Sequence, residues 1–299
     1  MALSTLIFSL CYTIHVGAQT LYSCEAPGGD PVIHTIDPAT GNTLTTTTIT
    51  LAGEEELKGC NGLAKDPSTG TCWIILSPIG SGDTGEMGGN RLLATIDETT
   101  GVATLVGNLG DAFAGITFDP SGTIYGITGV NAMMPSILYT IDKTNALPSF
   151  FQTLFTDDTL GGQAIAFNPV DGLIYNAHSN VFRSLNPNTN MLTGITLSGE
   201  PISEVFGFVH QSGNVFLASD IGNSLHSITI TGPNSGVNTR IGPMGVLEFK
   251  TKGLAFDCGV APPPPPAAVP TLSEWGLGAM AGILGIVGFM VIRRRNVLA

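Results

Sequence analysis

The 299-residue chain is poor in charge, 11% against about a quarter in an average soluble domain, and holds 39 glycines and 19 prolines. Its formal net charge is −12, and residues 19–268 carry 8 basic against 22 acidic side chains, a net of −14. Such a surface repels phosphate backbones, so nucleic acid is excluded as a partner. Short Thr, Ile, Val and aromatic stretches between turn residues predict an all-β protein.

The first segment, "MALSTLIFSLCYTIHVGA", is largely apolar from Ala2 to Val16 and contains no acid. Val16-Gly17-Ala18 is a small-residue cleavage site, so residues 1–18 are predicted to be a signal peptide cut after Ala18. The usual basic start is missing, and a buried first strand is the alternative reading. Cys11 would leave with the signal. Cys24, Cys60, Cys72 and Cys258 would remain, and an even number in an exported chain suggests two disulfides.

Residues 19–258 repeat themselves. One phrase recurs as "GLAKDPSTGTCWII" at 62, "GITFDPSGTIYGIT" at 115, "AIAFNPVDGLIYNA" at 164, "GFVHQSGNVFLAS" at 207 and "GLAFD" at 253. Each full copy reads as strand, tight turn, strand, with Asp-Pro or Asn-Pro and a following Gly as the turn. A second hairpin phrase alternates with it, as in "LLATIDETTGVATLVG", where Asp37, Asp97, Asp142 or Asn186 ends the first strand. The equivalent residues Lys65, Phe118, Phe167, His210 and Phe256 lie 53, 49, 43 and 46 apart. Four-stranded units at that period predict a β-propeller of five blades. Residues such as Ile124 and Gly126 against Tyr125 would face opposite neighbours. "TLYSCEA" near the start matches the second strand of a unit and "GLAFDC" at the end matches the first, so the two termini would complete one blade and leave no open edge. A linear solenoid is the alternative, but it needs no complementary half-units at its ends.

The blade phrases resemble the repeats of extracellular bacterial propeller proteins, of the general form "LYTIDPxTG…GLAFDPxxGxLYG", over about residues 20–258. The fourth unit departs most, with "HQSG" in place of the Asp-Pro turn. The resemblance implies a fold and leaves the function open.

The strand positions also suggest a cysteine pairing. If Asp66 faces Thr71 across the turn, Cys72 faces Lys65, and Cys60 sits five residues away, roughly 16 Å at strand rise. A disulfide needs Cα atoms within about 7 Å. Cys24 and Cys60 would share one rim, and Cys72 and Cys258 the other, so the expected pairs are Cys24–Cys60 and Cys72–Cys258. Free or differently paired thiols are the alternative.

"GVAPPPPPAAVP" ends the domain, and residues 259–268 read as a stiff, extended Pro-rich linker. Residues 269–299 follow as "VPTLSEWG", an uncharged stretch and three arginines. Trp275 to Ile292 is 18 residues, about 27 Å as a helix, enough to span a thin bilayer. A transmembrane helix is predicted over 276–292, with Trp275 at the outer interface and Arg293, Arg294 and Arg295 held in the cytoplasm as membrane stop. Gly278-xxx-Gly282 would pack on another helix, or simply reflect the small residues common in such helices.

This tail resembles the IPTL-CTERM sorting signal of Gram-negative bacteria. Val269 stands where that family has Ile, and Pro270, Thr271, Leu272, Glu274, Trp275 and Gly276 match, with Ser273 between them. The resemblance implies recognition by an exosortase-like membrane transpeptidase, cleavage near the motif and transfer to a surface carrier. The expected protein is exported, inner-membrane-anchored at first with its propeller in the periplasm, and finally displayed at the cell surface.

No catalytic constellation, cofactor motif or metal-ligand spacing stands out. The acids Asp37, Asp66, Asp97, Asp119 and Asp142 belong to repeat turns, and His34, His178, His210 and His226 fall in different strands. "GSGDTGEMGGN" (80–90) and "FTDDTLGG" (155–162) read as insertions between blades. Asp83, Glu86, Asp157 and Asp158 there would offer oxygens to Ca²⁺ or simply be solvated acidic loops. The favoured reading is a surface binding or structural module for glycans or proteins. The alternative is a propeller hydrolase, a glycosidase or lactonase, whose acids would converge at the channel mouth.

Overall fold

The repeat turns are built by side chains that fold back onto their own backbone. Asp37 accepts the Ala39 N–H at 2.9 Å and the Thr40 hydroxyl at 2.7 Å, and Gly41, at φ 83°, donates to the Asp37 carbonyl at 2.8 Å. Asp97 accepts the Thr99 and Thr100 N–H groups, Asp142 the Thr144 N–H and hydroxyl, and Asn186 the Asn188 N–H. These are Asx turns, which reverse the chain between strands. The same hydrogen bonds hold Asp37, Asp97 and Asp142 below the usual carboxylate pKa.

The computed structural model describes residues 19–53, 56–79, 89–155, 163–245 and 251–258. The predicted signal peptide with its Ala18 site, the linker 259–268, the sorting motif Val269–Gly276, the helix 276–292, the arginines 293–295 and most of both acidic insertions lie outside them. Among the described residues there is no helix, and so none long and apolar enough to cross a membrane.

In chain order, β1 (Leu21–Glu25), β2 (Val32–Ile36) and β3 (Thr43–Thr48) begin the first sheet, and the short β4 (Thr50–Leu51) leads away from it. β5 (Leu57–Lys65), β6 (Cys72–Pro78), β7 (Leu92–Ile96) and β8 (Val102–Asn108) form the second sheet. β9 (Phe113–Phe118), β10 (Ile124–Thr128), β11 (Ile137–Ile141) and β12 (Pro148–Thr153) form the third. β13 (Gln163–Asn168), β14 (Leu173–His178), β15 (Val181–Asn186) and β16 (Met191–Gly199), and then β17 (Val205–Ser212), β18 (Val215–Asp220), β19 (Ser224–Gly232) and β20 (Ser235–Pro243), form two four-stranded meanders, called here the fourth and fifth sheets, which β16 and β20 join into one continuous eight-stranded sheet. β21 (Thr251–Phe256) then returns to the first sheet and pairs antiparallel with β1, Leu21 facing Phe256. The half-units at the two ends of the domain therefore complete one four-stranded sheet.

The first strand of each sheet neighbours the first strand of the next: β5 with β9, β9 with β13, β13 with β17, β17 with β21 and β21 with β5. The sheets thus stand around a common axis in a closed, propeller-like, near-barrel arrangement. Strand alternation explains the core. Ile74 and Leu76 on β6 pack toward the first sheet, while Trp73 and Ile75 pack toward the third. Ile124 joins the cluster between the second and third sheets, and Tyr125 the cluster between the third and fourth. The strands nearest the axis, such as β6, β9, β10 and β13, are buried on both faces and read as near-continuous apolar runs, whereas the outermost strands, such as β3 and β12, are exposed or half-buried.

One expectation about the loops is corrected. β6 pairs with β7, Cys72 facing Ile96 through Leu76 facing Leu92, so the segment 80–90 is an insertion within one sheet. A hairpin strand and an insertion both begin after an apolar run, and composition alone does not say which strands the loop joins. The segment 156–162 does lie between sheets, after β12 and before β13.

The seams between sheets differ. Between the first and second, β4 pairs parallel with β8, and two disulfides cross: Cys24–Cys60 and Cys72–Cys258, with Cα atoms 6.0 and 5.2 Å apart. Lys65 pairs with Cys72 across the hairpin, which is why Cys60 cannot reach Cys72. Between the second and third, Lys143 donates to Asp66 at 2.9 Å. Between the third and fourth, the Arg183 guanidinium lies 3.9 Å from the centre of the Phe155 ring and donates to the Leu154 carbonyl at 2.8 Å. Between the fourth and fifth, β16 pairs parallel with β20.

Candidate binding site

The five equivalent residues of the repeat meet in space. Lys65, Phe118, Phe167, His210 and Phe256 end the five axial strands, and all five line one cavity of about 260 Å³ at the mouth of the central channel. Pro67, Pro120 and Pro169, from the turns that follow three of those strands, extend its wall. Deeper in, Leu63, Ile116, Phe208 and Leu254 make the floor. A concave, mostly apolar pocket with few polar groups is the usual form of a ligand site.

The channel narrows below this cavity because of a residue type that the repeat carries in its first letter. Three positions before each rim residue stand Gly62, Gly115, Ala164, Gly207 and Gly253; Gly62, Gly115, Ala164 and Gly253 line a void of only about 10 Å³, and a Cβ at Gly207 would lie 3.3 Å from the Gly253 carbonyl carbon. Gly253, at φ +76°, is so close to the next strand that a Cβ would sit 2.5 Å from the Leu63 nitrogen. The repeat phrase displays these small residues openly, but their role in letting axial strands approach follows only once the ring is known to close.

The rim's polar groups are few. His210 Nε2 donates to the Gly213 carbonyl at 3.0 Å, and its ring meets Phe216 edge-on with centroids 5.3 Å apart. It replaces the phenylalanine of other repeats and stands half-exposed at the rim instead of filling the core. Lys65 is half-buried. No Asp or Glu is among the lining residues. The carboxylates next to the rim are committed to their own turns and seams. Asp66 accepts from Ser68 and from Lys143, Asp119 from the Ser121 and Thr123 N–H groups, and Asp257 from the Thr20 N–H. Burial by itself would raise the Asp66 pKa, but the Ser68 hydroxyl and the Lys143 ammonium outweigh it and hold it below the usual carboxylate range.

The other histidines are apart from this site. His34 on β2 bonds Thr46 Oγ1 at 2.8 Å, His178 packs edge-on against Phe155, and His226 faces Asp220 at 3.4 Å. Among the described residues no three His, Cys, Asp or Glu side chains come together as a metal site requires. Asp83, Glu86, Asp157 and Asp158 lie outside the described residues.

With this geometry in hand, the tail decides the address. The chain carries an IPTL-CTERM motif at residues 267–296. The IPTL-CTERM motif implies an exported, surface-sorted protein and processing by an exosortase-type enzyme. The matched stretch spans Val269–Gly276 and the three arginines. No curated protein matches the chain. Among solved structures, a chain from a nidogen–laminin complex is 12% identical, covers 80% of this chain and 98% of its own, and has a TM-score of 0.47. A protein of unknown function from Bacteroides caccae is 10% identical over 79% of this chain and 98% of its own, with a TM-score of 0.47. A chain from a mitotic checkpoint complex is 12% identical, covers 71% and 58%, and has a TM-score of 0.39.

Proposed function

We propose that this is a five-bladed propeller made with a cleaved signal peptide over residues 1–18, held at first in the inner membrane of a Gram-negative cell by a helix over 276–292, and then sorted to the surface as a binding module. The observation that carries the reading is the order of parts: a disulfide-closed domain ending at Cys258, and then the IPTL-CTERM motif at 267–296. Disulfides persist in oxidising compartments, in keeping with export. The arginines 293–295 would stay in the cytoplasm, with the propeller on the periplasmic side before sorting.

A binding role is favoured over the hydrolase alternative by the site's chemistry. A glycosidase needs two carboxyl groups at a set separation, and the residues lining the channel mouth are mostly apolar, with Lys65, Thr117 and His210 as the polar ones. The turns and rim would face ligands outside the cell, with the seams keeping the sheets in fixed register.

The test is the intact mass of the mature protein from its native host. A species ending near Thr271 is the expected result. A chain still ending at Ala299 would overturn processing and leave a simple membrane anchor.

A further inference from the structure

We propose that the cavity at the channel mouth binds a small apolar molecule bearing one anionic group, with Lys65 as the counter-charge and Phe118, Phe167 and Phe256 as the apolar walls. The proposal rests on the reading of the protein as a surface binding module and names the ligand class of that same site.

Size comes first. At about 260 Å³ the cavity is below the roughly 300–1,000 Å³ of sites for drug-sized ligands, so its ligand is small. The wall chemistry comes second. The surface is predominantly carbon, and the lining side chains with polar atoms are Lys65, Thr117 and His210. Thr117 Oγ1 already accepts the Phe167 N–H at 2.9 Å, and His210 Nε2 is engaged with Gly213. A sugar placed here would bury hydroxyls with too few partners, and a buried polar group without a hydrogen bond weakens binding. An apolar body loses nothing on these walls.

Charge comes third. Among the described residues Lys65 has no carboxylate partner, and none of the lining residues is acidic. The nearest carboxylate in sequence, Asp66, is occupied on Oδ1 by Ser68 and on Oδ2 by Lys143. A lysine on the wall of an apolar cavity, in a region whose net charge over residues 19–268 is −14, attracts a single negative group at short range while the outer surface repels anions that cannot enter. An apolar tail is what makes entry favourable.

The experiment compares two probes of one shape, 2-naphthoate and its neutral amide 2-naphthamide, titrated into the purified full chain by calorimetry. The expected result is naphthoate binding at least tenfold tighter than naphthamide, with a preference that shrinks as salt rises. Lys65→Met should abolish the preference and leave the naphthamide affinity within about twofold, and Lys65→Arg should retain the preference. Phe167→Ala should weaken both probes alike. Thermal melting of each variant separates lost binding from lost folding. Equal affinity for the two probes, a preference that survives Lys65→Met, or no binding of either probe would each overturn the proposal. None of these outcomes alters the mature C-terminus, so this site can fail while the sorting reading stands.

Discussion

Cys72 and Cys258 stand 186 residues apart in the chain, yet their Cα atoms are 5.2 Å apart where the last axial strand meets the second sheet. The bond closes about three quarters of the domain into one loop. In the chain-entropy account a cross-link of that length removes about 5 kcal/mol of unfolded-state freedom, and the Cys24–Cys60 loop of 36 residues about 4 kcal/mol. Opening the longer bond as Cys72→Ser with Cys258→Ser should therefore lower the melting temperature by about 10–20 °C at this domain size. Opening the shorter one should cost less. Thermal melts in oxidising buffer check the order, and an unchanged midpoint for the Cys72/Cys258 double variant would refute it.

Asp66 and Lys143 tie the second sheet to the third. Asp66 is 1% exposed and Lys143 35%. Lys143 is wet enough that the pair itself adds only a modest amount, about 1 kcal/mol or less. Removing the carboxylate is worse, because it deletes the two hydrogen bonds from Ser68 as well as the Lys143 contact, at about 1 kcal/mol for each hydrogen bond. Lys143→Met should thus destabilise less than Asp66→Ala in urea unfolding, and a reversed order would contradict this account. Because the Asp66 pKa is lowered in the fold, its contribution is whole above the unfolded value of 3.8 and fades as pH falls through the folded value.

Much of this architecture could be read before any coordinates. The phrase that ends in Lys65, Phe118, Phe167, His210 and Phe256 identified the first strand of each unit, because the chemistry of Asx turns is local and most copies repeat it, the fourth with "HQSG" being the exception. The same alternation placed Cys24 near Cys60 and Cys72 near Cys258. What escaped the sequence is non-local. The parallel pairings of β4 with β8 and of β16 with β20 join strands from different repeats and leave no periodic mark. The Lys143–Asp66 contact crosses 77 positions and involves a lysine found in only one of the second-phrase hairpins. The shared cavity of the rim residues emerged only from ring closure.

His34 gives the fold an acid-sensitive point. Burial pushes its pKa down from 6.5 to about 4, against the opposing pull of the Thr45 backbone, and it is neutral beside Thr46 at pH 7. Between pH 6.5 and 4 the unfolded chain takes up a proton that the folded chain refuses. Stability is full above pH 6.5, falls toward pH 4 by at most about 3 kcal/mol, and is flat below for this group. Asp220 acts in a lower window. Burial would raise its pKa, but the His226 ring, the Ser224 N–H and the Ser203 hydroxyl hold it at about 2, so its contribution is lost from 3.8 down to about 2. Unfolding free energies across pH 3–7 should show His34→Gln flattening the upper slope and leaving the lower one. A slope between pH 4 and 6.5 that persists in His34→Gln would disprove the assignment.

Gly253 and Gly172 form a matched pair for testing how tightly the axial strands pack. Both are left-handed, at φ +76° and +73°. A Cβ at Gly172 would meet nothing within 4 Å, whereas at Gly253 it would press against the Leu63 nitrogen at 2.5 Å and the Gly62 carbonyl carbon at 2.9 Å. Gly172→Ala therefore reports the conformational cost alone, about 1–2 kcal/mol. Gly253→Ala carries the same cost and must also push two backbone strands apart, which no side-chain rotation relieves. Its loss should exceed that of Gly172→Ala by about 1–3 kcal/mol, in the range of other overpacking changes. Because the displaced strands β5 and β21 end in Lys65 and Phe256, the same variant should also loosen the cavity and weaken naphthoate binding, while Gly172→Ala leaves it intact. Equal destabilisation by the two alanines would mean that the strands around the axis can part freely, and that the narrow throat of the channel is not what sets the shape of its mouth.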